Sequence, residues 1–103
     1  MRIELWHKNK LVGSQDFTDG TYKVGRAEDS DIFIASLQVS KNHAVLAISG
    51  EQVVIADQGS ANGVFVNGTK VKKQAIGPGD QIVLADFTLK LGETQYERVL
   101  LAS

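Results

Sequence analysis

The chain has no cysteine among its 103 residues, which excludes a disulfide framework and any thiolate metal site. It has only two histidines, His7 and His43, and neither Asp29-Ser30-Asp31 nor Asp80 lies in a calcium-loop pattern, so no metal is expected. No apolar run approaches the roughly 18 residues that a membrane helix needs. The opening Met1-Arg2-Ile3-Glu4-Leu5-Trp6 alternates apolar and polar residues instead of forming a signal peptide's apolar core. These absences predict a soluble, non-secreted, cytoplasmic protein without a membrane partner. Charge of one sign is also lacking. Eleven basic and 12 acidic residues give a net charge of −1, so there is no bulk attraction for nucleic acid, although a local basic site remains compatible with these numbers. Gly77-Pro78-Gly79 is followed by neither a Lys-Ser/Thr pair nor a helix signal, and proline removes an N–H that a phosphate cradle would use. No nucleotide or other cofactor is expected. Internal repeats and low-complexity segments are missing too, and helical periodicity is nearly absent.

What is present is a series of short apolar runs. Ile3, Leu5 and His7 alternate with Arg2, Glu4 and Trp6, and after the polar break Lys8-Asn9-Lys10 the pattern resumes at Leu11-Val12. Asp19-Gly20 reads as a type I′ turn signal, followed by a strand over 21–24 that stops at Gly25. Residues 31–34 form a short β-prone run. Residues 43–48 and 52–57 flank Ser49-Gly50-Glu51 as a hairpin. Asn67-Gly68 between 64–66 and 69–71 is the clearest hairpin, and it also explains the glycosylation-like triplet Asn67-Gly68-Thr69. A turn over 77–80 precedes strands over 81–84 and 87–91. In residues 93–102, Tyr96, Val99 and Leu100 would share a helix face, but a last strand or a linker fits equally. Short strands at this spacing predict an all-β sandwich or barrel. The length suits one domain, burying about 65% of its unfolded surface.

Three polar marks interrupt the runs: Gly25-Arg26, Ser40-Lys41-Asn42-His43 and Ser60-Ala61-Asn62-Gly63. On a strand scaffold they fall on loops, where binding residues concentrate. Gly25 would let the chain turn sharply and aim the Arg26 fork at an anion. The plainer reading is a strand end and a solvated arginine, and Glu28, Asp29 or Asp31 could occupy it. Ser40 and His43, with Asp57 as a third member, invite a nucleophile reading. Nothing resembles a nucleophile elbow, and the stronger reading makes His43 a structural imidazole holding the Ser40 loop. Asn62 could pair its carboxamide with an extended peptide. Together these loops offer a guanidinium, an ammonium, a hydroxyl and a carboxamide, the donor set that suits a phosphate dianion and its backbone neighbours.

In order and spacing, these residues resemble the forkhead-associated (FHA) domain. The match runs through Gly25-Arg26, Ser30-Asp31-Ile32, Val39-Ser40-Lys41-Asn42-His43, residues 57–68, and Gly79-Asp80-Gln81-Ile82-Val83-Leu84. It covers roughly residues 1–92, leaving 93–103 as a tail or linker. The resemblance implies a sandwich of two antiparallel sheets, about eleven short strands, with loops at one end that bind phosphothreonine peptides without catalysis. It implies Arg26, Ser40 and Lys41 as phosphate contacts, Asn62 as the peptide-backbone contact, and Gly25, His43, Gly63 and Asn67 as structural supports. The implied partner is a phosphothreonine-containing protein or peptide in signalling, and the chain could belong to a larger multidomain protein. Three departures stand out: Ala61 and Val64 replace commonly polar residues, and Gln38 is uncharged where some members carry arginine. They leave open an alternative, an FHA-like assembly module that binds subunits without phosphate. The lack of a catalytic pair with a third partner argues against an enzyme.

Overall fold

Alternation along the strands decides which face each one buries. A computed structural model describes residues 1–92, and there the chain forms eleven strands: β1 (Arg2–His7), β2 (Lys10–Asp16), β3 (Gly20–Gly25), β4 (Ile32–Phe33), β5 (Ala44–Ser49), β6 (Gln52–Asp57), β7 (Val64–Val66), β8 (Thr69–Val71), β9 (Lys73–Ile76), β10 (Gln81–Leu84) and β11 (Phe87–Gly92). They make a six-stranded sheet ordered β2-β1-β11-β10-β7-β8 and a five-stranded sheet ordered β4-β3-β5-β6-β9. Ala44, Leu46 and Ile48 on β5 and Val53 and Ile55 on β6 face inward, as do Val64 and Val66 on β7, Ile82 and Leu84 on β10, and Leu89 and Leu91 on β11. Each Val, Leu or Ile side chain among them gains on the order of 1.5–3 kcal/mol from full burial. The intervening residues face outward, the period-2 signature of two packed sheets.

The expected all-β sandwich and its strand count are found. The pairing is antiparallel except between β3 and β4, which run parallel, with Val24 beside Ile32 and Gly25 beside Phe33. Both expected hairpins form. Gly50 has φ +61 between the paired Ser49 and Gln52, and Asn67 and Gly68 have φ +51 and +87 between the paired Val66 and Thr69.

The Asp19-Gly20 hairpin does not form. β2 pairs with β1 while β3 pairs with β4 and β5, so this segment crosses between sheets. Its Asp19 carboxylate accepts the Gly50 amide at 3.0 Å. The positive-φ turn at this side of the chain is Lys8-Asn9, with φ +49 and +64, closing the β1–β2 hairpin. β2 also runs to Asp16, past the apolar Leu11-Val12. It is an edge strand exposed throughout, so no alternation marks it. β9 is a second unforeseen edge, exposed over Lys73, Gln74 and Ala75, with only Ile76 buried. No described helix is long and apolar enough to cross a membrane. The reading of residues 93–102 as helix, strand or linker lies outside the described residues.

Candidate functional site

The β3–β4, β4–β5 and β6–β7 loops are fastened to one another chiefly by backbone groups. β3 ends at Gly25, and the next two residues donate to the β4–β5 loop, Arg26 N–H to the Ser40 carbonyl at 3.1 Å and Ala27 N–H to the Lys41 carbonyl at 3.2 Å. This close approach is what requires glycine. A Cβ on Gly25 would lie 2.2 Å from the Lys41 carbonyl oxygen and 2.9 Å from that of Ser40. Gly25 is not among the residues of positive φ, so sharp turning, the reason expected from the sequence, is not its role.

His43 is completely buried, the one buried polar side chain among the described residues. Its Nδ1 accepts the Ser40 N–H at 3.1 Å and its Nε2 lies 2.8 Å from the Gly63 carbonyl. A carbonyl only accepts, so Nε2 carries the proton and the tautomer follows from the partners. The His43 backbone is also engaged, donating to the Val24 carbonyl at 3.0 Å and accepting the Gln58 amide at 3.0 Å. One imidazole thus connects the β4–β5 and β6–β7 loops. It meets Ser40 through the amide, not the hydroxyl, so no nucleophile–base contact exists.

The β6–β7 loop is held by a relay that the sequence reading did not single out. The Asp57 carboxylate accepts the Ser60 amide at 3.0 Å, and the Ser60 hydroxyl accepts the Gly63 amide at 2.9 Å. Burial pushes the Asp57 carboxyl upward, but its hydrogen bonds from Ser60, then the nearby His43 and Lys70, outweigh that and hold it below the ordinary carboxylate value. Gly63 adopts φ +81, where a side chain is strained. The Ser40 hydroxyl accepts the Ala61 amide at 3.0 Å, which leaves its own proton to donate outward.

Arg26 anchors its fork by donating Nε–H to the Val39 carbonyl at 3.1 Å. The acids near it in sequence are engaged elsewhere. Asp29 pairs with Lys23 Nζ at 3.0 Å, and Asp31 accepts the Lys23 amide at 2.8 Å. Among the described residues no carboxylate lies within ion-pair distance of Arg26, which is half-buried. Lys41 is exposed beside it in the same cluster of loops. Asn62, also exposed, donates its side-chain amide to the Gln38 carbonyl at 2.6 Å. No side-chain signal could have revealed that partner, because it is a main-chain oxygen.

Arg26, Ser40, Lys41 and Asn62 are therefore carried by three interlocked loops, with Gly25, His43 and Gly63 inside the lock. Asn67 is not in it. It sits at the other end of β7, where its side chain donates to Asp80 at 2.9 Å and accepts the Gln81 amide at 3.0 Å. Any support it gives the loops passes through β7.

The chain is similar to known proteins in sequence and in fold. The family model "FHA domain" matches residues 22–85, more than half of the chain. The glycogen accumulation regulator GarA of Mycolicibacterium smegmatis is 36% identical over 69 residues, 67% of this chain and 44% of that protein. The oxoglutarate dehydrogenase inhibitor of Corynebacterium jeikeium is 38% identical over 69 residues, 67% of this chain and 48% of that protein. The chain thus spans about half the length of these curated relatives. The crystal structure of the FHA domain of the CT664 protein from Chlamydia trachomatis superimposes with a TM-score of 0.83 at 24% identity, covering 90% of this chain and 96% of that one. Mycobacterium tuberculosis EmbR, solved in complex with a low-affinity phosphopeptide, superimposes with a TM-score of 0.76 at 28% identity, covering 91% of this chain and 25% of that one.

Proposed function

The chain belongs to the FHA domain family, and from that membership we propose that residues 1–92 are a non-catalytic, cytoplasmic module that binds proteins through phosphothreonine. The observation that carries this reading is the Arg26 guanidinium, pinned at Nε to the Val39 carbonyl, with no carboxylate partner among the described residues and bonded through its own amide to the Ser40 carbonyl. A fixed, unneutralised fork next to a hydroxyl with a free proton suits a dianion that accepts several charge-assisted hydrogen bonds. Lys41 adds an exposed ammonium. Asn62, whose Nδ2 already bonds Gln38, has its Oδ1 left to accept a peptide N–H. That the similar EmbR was solved with a low-affinity phosphopeptide supports the phosphopeptide-binding reading in general terms.

Ala61 offers the ligand only a methyl group, so the phosphate depends on Arg26, Ser40 and Lys41. Each charge-assisted hydrogen bond contributes about 1.5–3 kcal/mol net. A phosphothreonine peptide should therefore bind at least ~30-fold tighter than its unphosphorylated twin, a difference of about 2 kcal/mol. Calorimetric titration of both peptides tests this. Equal affinities would reject phosphate reading and favour the phosphate-independent assembly module.

A further inference from the structure

A further group of cations lies at this end of the sandwich. From β8 through the link into β9 the sequence runs Lys70-Val71-Lys72-Lys73, and all three lysines are exposed. The topology brings them to the loop end of the sandwich. Val71 pairs with Val64, where β7 begins, Lys73 pairs with Ala56 at the end of β6, and the Lys72 carbonyl accepts the Asp57 amide at 2.8 Å. Lys70 comes closest to the ligand loops. A methyl group placed on Gly63 would meet Lys70 Cε at 2.8 Å and Cδ at 3.5 Å, so the Lys70 stem lies across the backbone directly after Asn62. Phe65, its cross-strand partner, lies within 3.5 Å of the same point and shares the face. The missing side chain at Gly63 is the space the lysine stem uses.

The ion pairs among the described residues are Arg2–Glu4, His7–Asp86 and Lys23–Asp29, and none takes a cation from this cluster. The neighbouring acid is Asp57, which Lys70 influences without forming an ion pair and whose Oδ1 is already held by the Ser60 amide. Cross-strand partners share a face, so Lys70, opposite Phe65, lies on the outer face of the six-stranded sheet and Lys73, opposite Ala56, on that of the five-stranded sheet. Of the three cations, Lys70 is the one that lies beside Asn62.

We propose that Lys70 forms a second anion subsite, so that the module prefers phosphothreonine ligands carrying another negative group a few residues away. The proposal rests on the phosphothreonine reading and specifies which ligands that site takes. The second anion is a carboxylate or a second phosphate. Both suit an exposed lysine, and a dianionic phosphate gains more than a carboxylate.

The test uses one phosphothreonine peptide with neutral flanks and two series derived from it. In one, a glutamate is moved through the three positions on either side of the phosphothreonine. In the other, a phosphoserine is moved through the same positions. Each is titrated against the parent protein and against a Lys70→Met variant, which keeps an apolar stem over Gly63, at about 50 and about 300 mM salt. The quantity read is the ratio of charged-flank to neutral-flank affinity within each protein. The parent should show a ratio of roughly 3–10 for glutamate and more for phosphoserine, confined to one or two positions and shrinking with salt. In the variant the ratio should fall to about 1. The stronger series identifies which anion the subsite prefers. If the neutral-flank phosphopeptide binds and the charged flanks add nothing, or add as much in the variant, the second subsite is overturned and the phosphothreonine reading stands. If no phosphopeptide binds, both are overturned.

Discussion

Asn62 donates its side-chain amide to the Gln38 carbonyl at 2.6 Å, so the residue proposed to grip a ligand's main chain also ties the β6–β7 loop to the β4–β5 loop. The two functions separate by substitution. Asn62→Ala should weaken phosphopeptide binding about tenfold, one lost hydrogen-bonding residue, while preserving the preference for the phosphorylated peptide. Asn62→Asp should lose more, since it sets a carboxylate against the Gln38 carbonyl and next to an anionic ligand. Titration of both variants with the phosphorylated and unphosphorylated peptides checks the order. An aspartate variant that binds as well as the parent would exclude Asn62 from the contact.

For Arg26, charge and anchoring are distinguishable. Arg26→Ala should cost roughly 2–4 kcal/mol of phosphopeptide binding. It should also lower the melting temperature by several degrees, because the bond from Nε to the Val39 carbonyl contributes about 1 kcal/mol to a domain of this size. Arg26→Lys restores a positive charge but not the fork, so most of the affinity loss should remain. Full recovery of binding in the lysine variant would sink the claim that the pinned guanidinium matters.

His43 should act through the fold. Its removal strands the Gly63 carbonyl and the Ser40 amide, each worth on the order of 1–3 kcal/mol when buried and unpaired. His43→Ala should therefore lose roughly 2–5 kcal/mol of stability in denaturant unfolding. Unchanged stability with abolished binding would move His43 to the ligand surface.

Ser40→Ala/Lys41→Ala should sharply reduce discrimination between the phosphorylated peptide and its twin, leaving only what Arg26 supplies. The parent's affinity should decline as pH drops from about 7.5 to about 5.5, because the phosphate's second pKa lies near 6 and the dianion makes the stronger contacts. Asn62→Ala should keep the same pH profile at weaker affinity. A parent profile flat over that range would remove the dianion from the account.

Acid stability should follow a different group. The Asp80 carboxylate accepts the Asn67 side-chain amide at 2.9 Å and the Gly77 amide at 2.8 Å, which hold it below the ordinary value of 3.8. A carboxyl lowered by folding stabilises the native state above its unfolded pKa, and that contribution disappears as pH falls through the folded value. Between about pH 5 and about pH 2.5 the parent should lose more stability than Asp80→Asn, which cannot titrate there. Equal acid sensitivity by thermal unfolding would show that the turn over 77–80 does not contribute. Because this window lies below the one in which the phosphate titrates, the two effects do not overlap.

The sequence revealed the inward-facing strands well, because Leu46 and Ile48 or Val53 and Ile55 repeat with period 2 and end at polar turns. It concealed the edges. β2 is exposed on both faces and β9 buries only Ile76, so neither has an alternation to read. It also misplaced a turn. Asp19-Gly20 has the turn composition yet crosses between sheets, whereas Lys8-Asn9 makes the left-handed turn without a glycine. In the site, Arg26, Ser40 and Asn62 were visible as side-chain types. Their partners Val39, Ala61 and Gln38 were not, because each contributes a main-chain group, and a main-chain group has no letter in the sequence.

That division of labour has a use in engineering. The loops are pinned largely by peptide groups and by one buried imidazole, so the outward side chains at Gln38, Lys41 and Ala61 are free of any folding duty. A library randomised at those three positions would vary recognition on a fixed frame, in the way an antibody varies its loops, and a reagent selected from it would inherit the parent's melting behaviour. Without a single cysteine, such a reagent would also fold unchanged in a reducing environment.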